Sequence, residues 1–280
     1  MSKLHSFDLD GTLLHSDKSI SPRNDAAIRM AIAGGDTAVI NTGRCTPYAN
    51  KKLGTLPIRH IIGSNGSQIY DRLENQIIYT DAIDPKTLRE IHAACDHHDM
   101  MYLMHGPNSL NSINCVNCED VLEPFRGATP IRDIQSFIAE NPVTQFLPIS
   151  TDPEVILRAR EKLLARGFFM PGSDIVLSNQ SKHLDCPHSP AKNYTYLDIN
   201  NRTTNKGAAL TKYCEMMNID PANSIAYGDD MNDMPMFRAA GYRVAMANGT
   251  PAIRAAADYI TDTNNNDGVA KFMESNGPEC

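Results

Sequence analysis

No apolar run in this 280-residue chain approaches the roughly 20 residues that a membrane-crossing helix requires. The amino end reaches a charged residue, Asp8, before a signal-peptide core could form, so a cytoplasmic protein is expected. A basic excess is also missing: 33 Asp and Glu outnumber 26 Lys and Arg, for a net charge of −7. That balance does not supply the attraction that nucleic acid or an anionic membrane surface exerts on a basic patch, so no nucleic acid and no membrane is expected as partner. A disulfide framework is not indicated either. The seven cysteines, Cys45, Cys95, Cys115, Cys118, Cys186, Cys214 and Cys280, are odd in number and scattered, which fits reduced thiols. Internal repeats and low-complexity tracts are lacking, although Thr261 to Asp267 is a short polar run expected to form a loop.

What is present is the composition of a globular protein, 41% hydrophobic and 21% charged. The length allows a sizeable core, in one large domain or two smaller ones.

The first informative string is L-H-S-F-D-L-D-G-T-L, Leu4 to Leu13. Leu4 to Leu9 reads as a short buried strand bounded by a turn at Gly11-Thr12. Alternate residues of a strand point the same way, so Asp8 and Asp10 share a face if the strand runs straight. Gly11 favours Asp10 on a loop leaving the strand end. Two anions this close repel each other, and a fold that keeps both must supply a cation, a shared proton or open water.

Ser21-Pro22 then reads as a helix start that runs to Gly34-Gly35. Short apolar runs at Thr37 to Asn41 and His60 to Gly63 stop at Thr42-Gly43-Arg44 and Ser64-Asn65-Gly66. Toward the other end, Ser224 to Tyr227, Tyr242 to Met246 and Tyr259 to Thr261 read as further strands, with helices over Gly207 to Asn218 and Asp233 to Ala240. Buried strands alternating with helices predict an α/β fold, a doubly wound parallel, Rossmann-like sheet whose ligands sit beyond the carboxyl ends of the strands. The polar motifs fall at those ends. Residues 84–200 differ: helices over Pro85 to His97 and Pro153 to Arg166 are mixed with strand-like pieces, which predicts an inserted α+β domain, leaving 1–83 with 201–280 as a discontinuous core.

Three further constellations carry chemistry. Thr42-Gly43-Arg44 offers a hydroxyl and free backbone N–H groups at a strand end, an environment shaped for phosphate. Lys206, in T-T-N-K-G, precedes a helix whose amino terminus also favours an anion. Gly228-Asp229-Asp230-Met231-Asn232-Asp233 places three carboxylates and an amide just past a strand, a density of hard oxygen ligands that suits Mg2+.

In that order D-L-D-G-T, T-G-R, K-G and G-D-D-M-N-D resemble the four motifs of the haloacid dehalogenase (HAD) phosphohydrolases, and the long insertion resembles the type-two cap of the Cof-type branch. The resemblance implies a Mg2+-dependent phosphatase acting on a small phosphorylated metabolite, a sugar phosphate or phosphorylated cofactor. It implies Asp8 as the nucleophile that forms an aspartyl-phosphate, and Asp10 as acid and then base, with its backbone carbonyl on the metal. Thr42, Gly43, Lys206 and Asn232 would hold the phosphoryl group and Arg44 would contact substrate. Asp8, Asp10 and Asp229 would bind the metal, supported by Asp233. The acid role requires Asp10 to hold a proton at neutral pH, through its neighbouring carboxylate and exclusion of water. The same core also suits a phosphomutase, or a non-catalytic phospho-ligand binder had a catalytic carboxylate been lost.

The inserted segment has features outside that pattern. The stretch from Asn179 to Tyr194 is longer than a tight hairpin and is free to reach a substrate or partner. Its His183, Cys186 and His188, with Cys115 and Cys118, are ligand types suited to zinc, although one C-x-x-C lacks a second at matching spacing. His97-His98 reads as a helix end, and Cys45 as a small filler near the cleft. Oligomeric state is not encoded legibly.

Overall fold

The computed structural model describes residues 2–106, 110–113, 129–131, 133–170, 175–179 and 195–275. The chain forms two compact units, Met1–Tyr79 with Thr204–Cys280, and Thr80–Thr203. Cys115, Cys118, Cys186, Cys280, His183, His188 and the rest of the stretch from 180 to 194 lie outside the described residues.

The first unit begins with β1 (Leu4–Phe7), α1 (Pro22–Ala33), β2 (Thr37–Asn41), α2 (Thr46–Leu53), β3 (His60–Gly63), β4 (Gln68–Asp71) and β5 (Gln76–Thr80). The second holds α3 (Pro85–Cys95), β6 (Met101–His105), β7 (Leu110–Ile113), β8 (Thr129–Pro130), α4 (Ile134–Glu140), β9 (Gln145–Ser150), α5 (Pro153–Ala165), β10 (Ile175–Asn179), β11 (Thr195–Tyr196) and β12 (Asp198–Asn201). The chain then returns to the first unit through α6 (Lys206–Met217), β13 (Ser224–Gly228), α7 (Met234–Ala239), β14 (Tyr242–Ala245), α8 (Pro251–Ala255), β15 (Tyr259–Ile260) and α9 (Gly268–Glu274).

The first sheet has the order β15-β14-β13-β1-β2-β3-β4-β5. Pairing is parallel from β15 to β3. The chain therefore starts at the centre, extends one way through β2 and β3, and later the other way through β13 to β15. That reversal leaves a crevice beyond the carboxyl ends of β1 and its neighbours.

The doubly wound parallel sheet carries an antiparallel edge, where β4 runs antiparallel to β3 with His60 opposite Asp71. Ser64 and Asn65 take left-handed backbone conformations (φ 50° and 55°) in the link, which turns too tightly for the crossover a parallel partner needs. The helix α2 was also not foreseen.

Local sequence explains the element ends. Ser21 caps α1 by accepting the Asn24 N–H at 3.0 Å, with Pro22 in the first turn. Asn205 caps α6 by accepting the N–H groups of Gly207 and Ala208, and Asn218 ends it in a left-handed conformation. Strand alternation divides the core in two. Phe7, Ile40, Ile61, Tyr227 and Val244 pack with α1, α2 and α9 on one face, while Leu4, Val39, Ile62, Ala226 and Ala245 pack with α6, α7 and α8 on the other.

The second unit is an antiparallel sheet of order β10-β12-β9-β6-β7-β8, with β11 on β9 and one parallel pair, β7 with β8. Tyr102, Met104 and Phe146 meet Leu88 and Ile91 of α3, Ile138 of α4 and Ile156 and Leu163 of α5 in its core. Helix α3 stops at Cys95, short of the expected His97. His97 and His98 lie in the following turn, where His98 Nε2 is 3.0 Å from Asp99 Oδ2.

Candidate active site

Strand β1 ends at Phe7, so Asp8 is the first residue past it and Asp10 is already on the departing loop. The Asp8 N–H donates to the Tyr227 carbonyl at 3.0 Å, which ties the two strand ends together. Asp8 falls on the face of the sheet that meets α6. There the ammonium of Lys206, the first residue of α6, lies 2.6 Å from Asp8 Oδ1 and 2.5 Å from Asp233 Oδ1. Its side chain is fully buried, at 0% exposure, so its charge depends on those two carboxylates. Burial opposes that charge, but Asp233 and Asp8 more than offset it and hold the ammonium above its ordinary range.

Asp233 is fully engaged. Its Oδ1 accepts from Lys206, and its Oδ2 accepts the N–H groups of Asp229 and Asp230 at 2.9 and 3.1 Å. This explains the G-D-D-M-N-D string locally: the last carboxylate folds back to hold the turn that presents the first. Asp229 in turn accepts the Thr12 hydroxyl at 2.8 Å. Gly11, at φ +86°, passes so close that an added Cβ would stand 2.3 Å from Asp229 Oδ2. A side chain at position 11 would displace the carboxylate.

Asp8, Asp229 and Asp233 each offer an oxygen within 4.8 Å of the others. Burial and the neighbouring carboxylates push Asp8 well above the usual carboxylate range, against the pull of Lys206. Asp229 is raised to about 6, chiefly by burial. Buried carboxylates that resist ionising together form a donor set that a hard dication would neutralise, so these residues fit Mg2+. Lys206 takes one oxygen of Asp8 and Thr12 one of Asp229, which leaves each a second oxygen for the cation.

Asp10 departs from the expectation that it holds a proton. Burial raises its pKa, but hydrogen bonds from Arg44 and Lys18 outweigh that and lower it below the ordinary value. Arg44 Nε lies 2.7 Å from Asp10 Oδ2, and Lys18 Nζ lies 2.7 Å from Oδ1. Arg44, expected to contact substrate, here grips Asp10 and lies over the Tyr48 ring, 5.0 Å from its centroid.

Thr42 is buried, and its Oγ1 accepts the Arg44 N–H at 3.1 Å. The Thr42-Gly43-Arg44 turn interlocks with the next one: Asn65 N–H donates to the Thr42 carbonyl and Ser64 N–H to the Arg44 carbonyl. A Cβ at Gly43 would meet Asn65 Oδ1 at 2.9 Å, so a side chain there requires the Asn65 amide to shift. Asn232 is exposed and reaches Asn65 at 3.5 Å. Cys45, the residue before α2, is a free thiol of intermediate burial.

The sequence reading missed Thr12, Lys18 and Asn65. Thr12 and Asn65 sat inside quoted strings at strand ends, where a hydroxyl and an amide were signals available to it. Lys18 carried no local signal.

A family model of haloacid dehalogenase-like hydrolases matches residues 6–273. The chain belongs to that family. As a HAD-like hydrolase it is an enzyme, a phosphatase of phosphoric monoesters. It is 32% identical over 281 residues to a 5-amino-6-(5-phospho-D-ribitylamino)uracil phosphatase of Bacillus subtilis, covering 97% of this chain and 94% of that one. A second B. subtilis phosphatase is 29% identical over 97% of this chain and 99% of its own length. Among solved structures, a Thermotoga maritima protein superposes with a TM-score of 0.80 at 25% identity, covering 100% of this chain and 99% of that one. Among the described residues, no helix of this HAD-like hydrolase is long and apolar enough to cross a membrane.

Proposed function

We propose that the chain is a Mg2+-dependent phosphatase of small phosphorylated metabolites, sugar phosphates or phosphorylated cofactors, that works through an aspartyl-phosphate on Asp8. The observation that carries this reading is the buried Lys206 ammonium shared by Asp8 and Asp233, beside Asp229. Asp8, Asp229 and the Asp10 carbonyl would hold Mg2+, with Asp233 as support, and the cation would neutralise phosphoryl charge.

The chain's own residues do the rest. Asp8, aligned by the Lys206 ammonium at Oδ1, attacks phosphorus through that oxygen and keeps its second oxygen for the cation. Lys206, the Thr42 hydroxyl and the N–H groups of the Gly43 turn bind the equatorial oxygens, where phosphoryl transfer most needs neutralised charge. Asn232 stands at the edge of this cradle. Asp10 moves the protons. Charged and paired with Arg44 and Lys18, it is in the state required of the base that takes a proton from the hydrolytic water. To protonate the leaving alcohol in the first half-reaction it must gain a proton as that pairing opens. The relatives' activity on a ribitylaminouracil phosphate supports a small polyol phosphate as the substrate class.

The test is hydrolysis of about a hundred phosphorylated metabolites and of p-nitrophenyl phosphate, with Mg2+ present, by the unaltered enzyme and Asp8→Asn. Release of phosphate that disappears in Asp8→Asn, by at least about a thousandfold, is expected. Equal rates would remove Asp8 as nucleophile. Isomerised product without released phosphate would replace the phosphatase reading with a phosphomutase.

A further inference from the structure

Lys18 belongs to none of the motifs, yet its position is built with care. Its Nζ lies 2.7 Å from Asp10 Oδ1, while Arg44 approaches from another element, with Nε 2.7 Å from Oδ2 and Nη2 3.3 Å from Oδ1. The two cations thus bracket both oxygens of one carboxylate. Lys18 sits in a tight turn closed by its own N–H to the His15 carbonyl and by the His15 N–H to the Ser19 carbonyl, both 2.9 Å. Its φ of 66° is a left-handed conformation that long side chains rarely adopt.

This turn is fastened to the polar run before α9. His15 Nε2 lies 3.0 Å from Asp267 Oδ1, and Ser16 N–H donates to Asn265 Oδ1 at 2.8 Å. Asn265 Nδ2 donates to Ser16 Oγ at 2.9 Å, and Asn264 Nδ2 to the Leu14 carbonyl at 2.8 Å. A half-exposed lysine paired with a carboxylate contributes little to stability. Stability therefore does not account for a strained lysine on a turn braced from the far end of the chain.

We propose that Lys18 is a positioning residue: it fixes the Asp10 carboxylate in the orientation from which Asp10 takes a proton from the water that hydrolyses phosphorylated Asp8. This rests on the reading of Asp8 and Asp10 under Proposed function. In that step Asp10 takes a proton from water and the water oxygen bonds to phosphorus. The bond from phosphorus to the Asp8 oxygen breaks, its electron pair stays on Asp8, and phosphate leaves. The earlier transfer from p-nitrophenyl phosphate expels p-nitrophenolate, which is stable as an anion and needs no proton from Asp10. Lys18 should therefore govern the second step and spare the first.

The test follows p-nitrophenyl phosphate, with Mg2+, in stopped flow and in the steady state, for the unaltered enzyme, Lys18→Met, Lys18→Arg and Asp10→Asn. Lys18→Met is expected to lower kcat and KM together by about tenfold, to leave kcat/KM within about twofold, and to show a burst approaching one p-nitrophenolate per active site. Lys18→Arg should recover most of kcat. Asp10→Asn should show the same pattern with a larger loss. Parallel falls in kcat and kcat/KM for Lys18→Met, or an unchanged kcat, would overturn the proposal. If Asp10→Asn gives the burst and Lys18→Met does not, Lys18 alone is refuted. If Asp10→Asn loses kcat/KM without a burst, the base assignment itself fails and the proposal with it.

Discussion

The Lys206 ammonium stands 2.6 Å from Asp8 Oδ1 although 198 positions separate the two residues in the chain. Asp233 completes the group, 2.5 Å from the same nitrogen. One buried cation thus links the first strand, the start of α6 and the turn after β13.

Removing that cation leaves Asp8 and Asp233 buried without their partner. Lys206→Met is expected to abolish phosphatase activity and to lower the unfolding free energy by about 3–5 kcal/mol, the cost of breaking a buried ion pair from one side. Urea denaturation of the purified variant measures it. A stability within about 1 kcal/mol of the unaltered protein would show that the buried ion pair contributes little to folding.

Metal removal should change the pH dependence of stability in a specific direction. Asp8 and Asp229 have folded pKa values above the unfolded value, with Asp229 at about 6. Their protonated forms favour folding, so this contribution is present at low pH and is lost as pH rises through about 6 for Asp229 and about 8 for Asp8. For Asp229 the loss is on the order of 2–3 kcal/mol. Thermal unfolding in EDTA should show Tm falling across that window. Added Mg2+ should restore Tm, with a larger effect at pH 8 than at pH 5. A Mg2+ effect independent of pH would contradict the site.

His105, at the end of β6, is buried, its Nε2 has no hydrogen-bond partner among the described residues, and burial lowers its pKa to about 4. The folded protein keeps this imidazole neutral while the unfolded chain protonates near pH 6.5. Its contribution is complete above pH 6.5 and disappears as pH falls through about 4, a loss of about 3 kcal/mol. His105→Gln should flatten the decline in urea midpoint between pH 6.5 and 4. An unchanged slope would mean that the imidazole is solvated.

Asp71, at the end of β4, accepts Arg59 Nε and Nη2 at 3.0 and 2.7 Å and the N–H groups of Leu73 and Glu74. The Arg59 hydrogen bonds lead in lowering its pKa to about 2. A depressed carboxylate contributes fully above its unfolded pKa and loses that contribution as pH falls through about 2. Arg59 is half exposed, so solvent screening limits the gain to about 1–2 kcal/mol. Asp71→Asn should cost that much at pH 7, and its stability curve should converge with the unaltered protein's near pH 2.

Much of this arrangement was legible in the sequence because it depends on local order. Strands β2 and β3 match their apolar runs residue for residue, and Ser21-Pro22 caps α1 as read. The positions of Asp8, Thr42, Lys206 and Asp229 at element ends followed from the turn residues after each run. The antiparallel β4 was missed because its direction depends on a left-handed Ser64-Asn65 turn, and neither residue type demands one. The charge state of Asp10 was misread for a different reason. Its neighbour in sequence is Asp8, but its neighbours in space are Arg44 and Lys18.

Apolar periodicity and turn residues act over a few positions, so β1 to β3, α1, the doubly wound core and the carboxylates available for phosphoryl chemistry were legible from the sequence alone. Only the tertiary structure decided which charges meet. Lys206 joins Asp8 and Asp233, Thr12 fixes Asp229, and Arg44 with Lys18 holds Asp10. The physical reason is that a carboxylate's protonation and orientation depend on burial and on cations within a few ångströms, and those come from segments far apart in the chain.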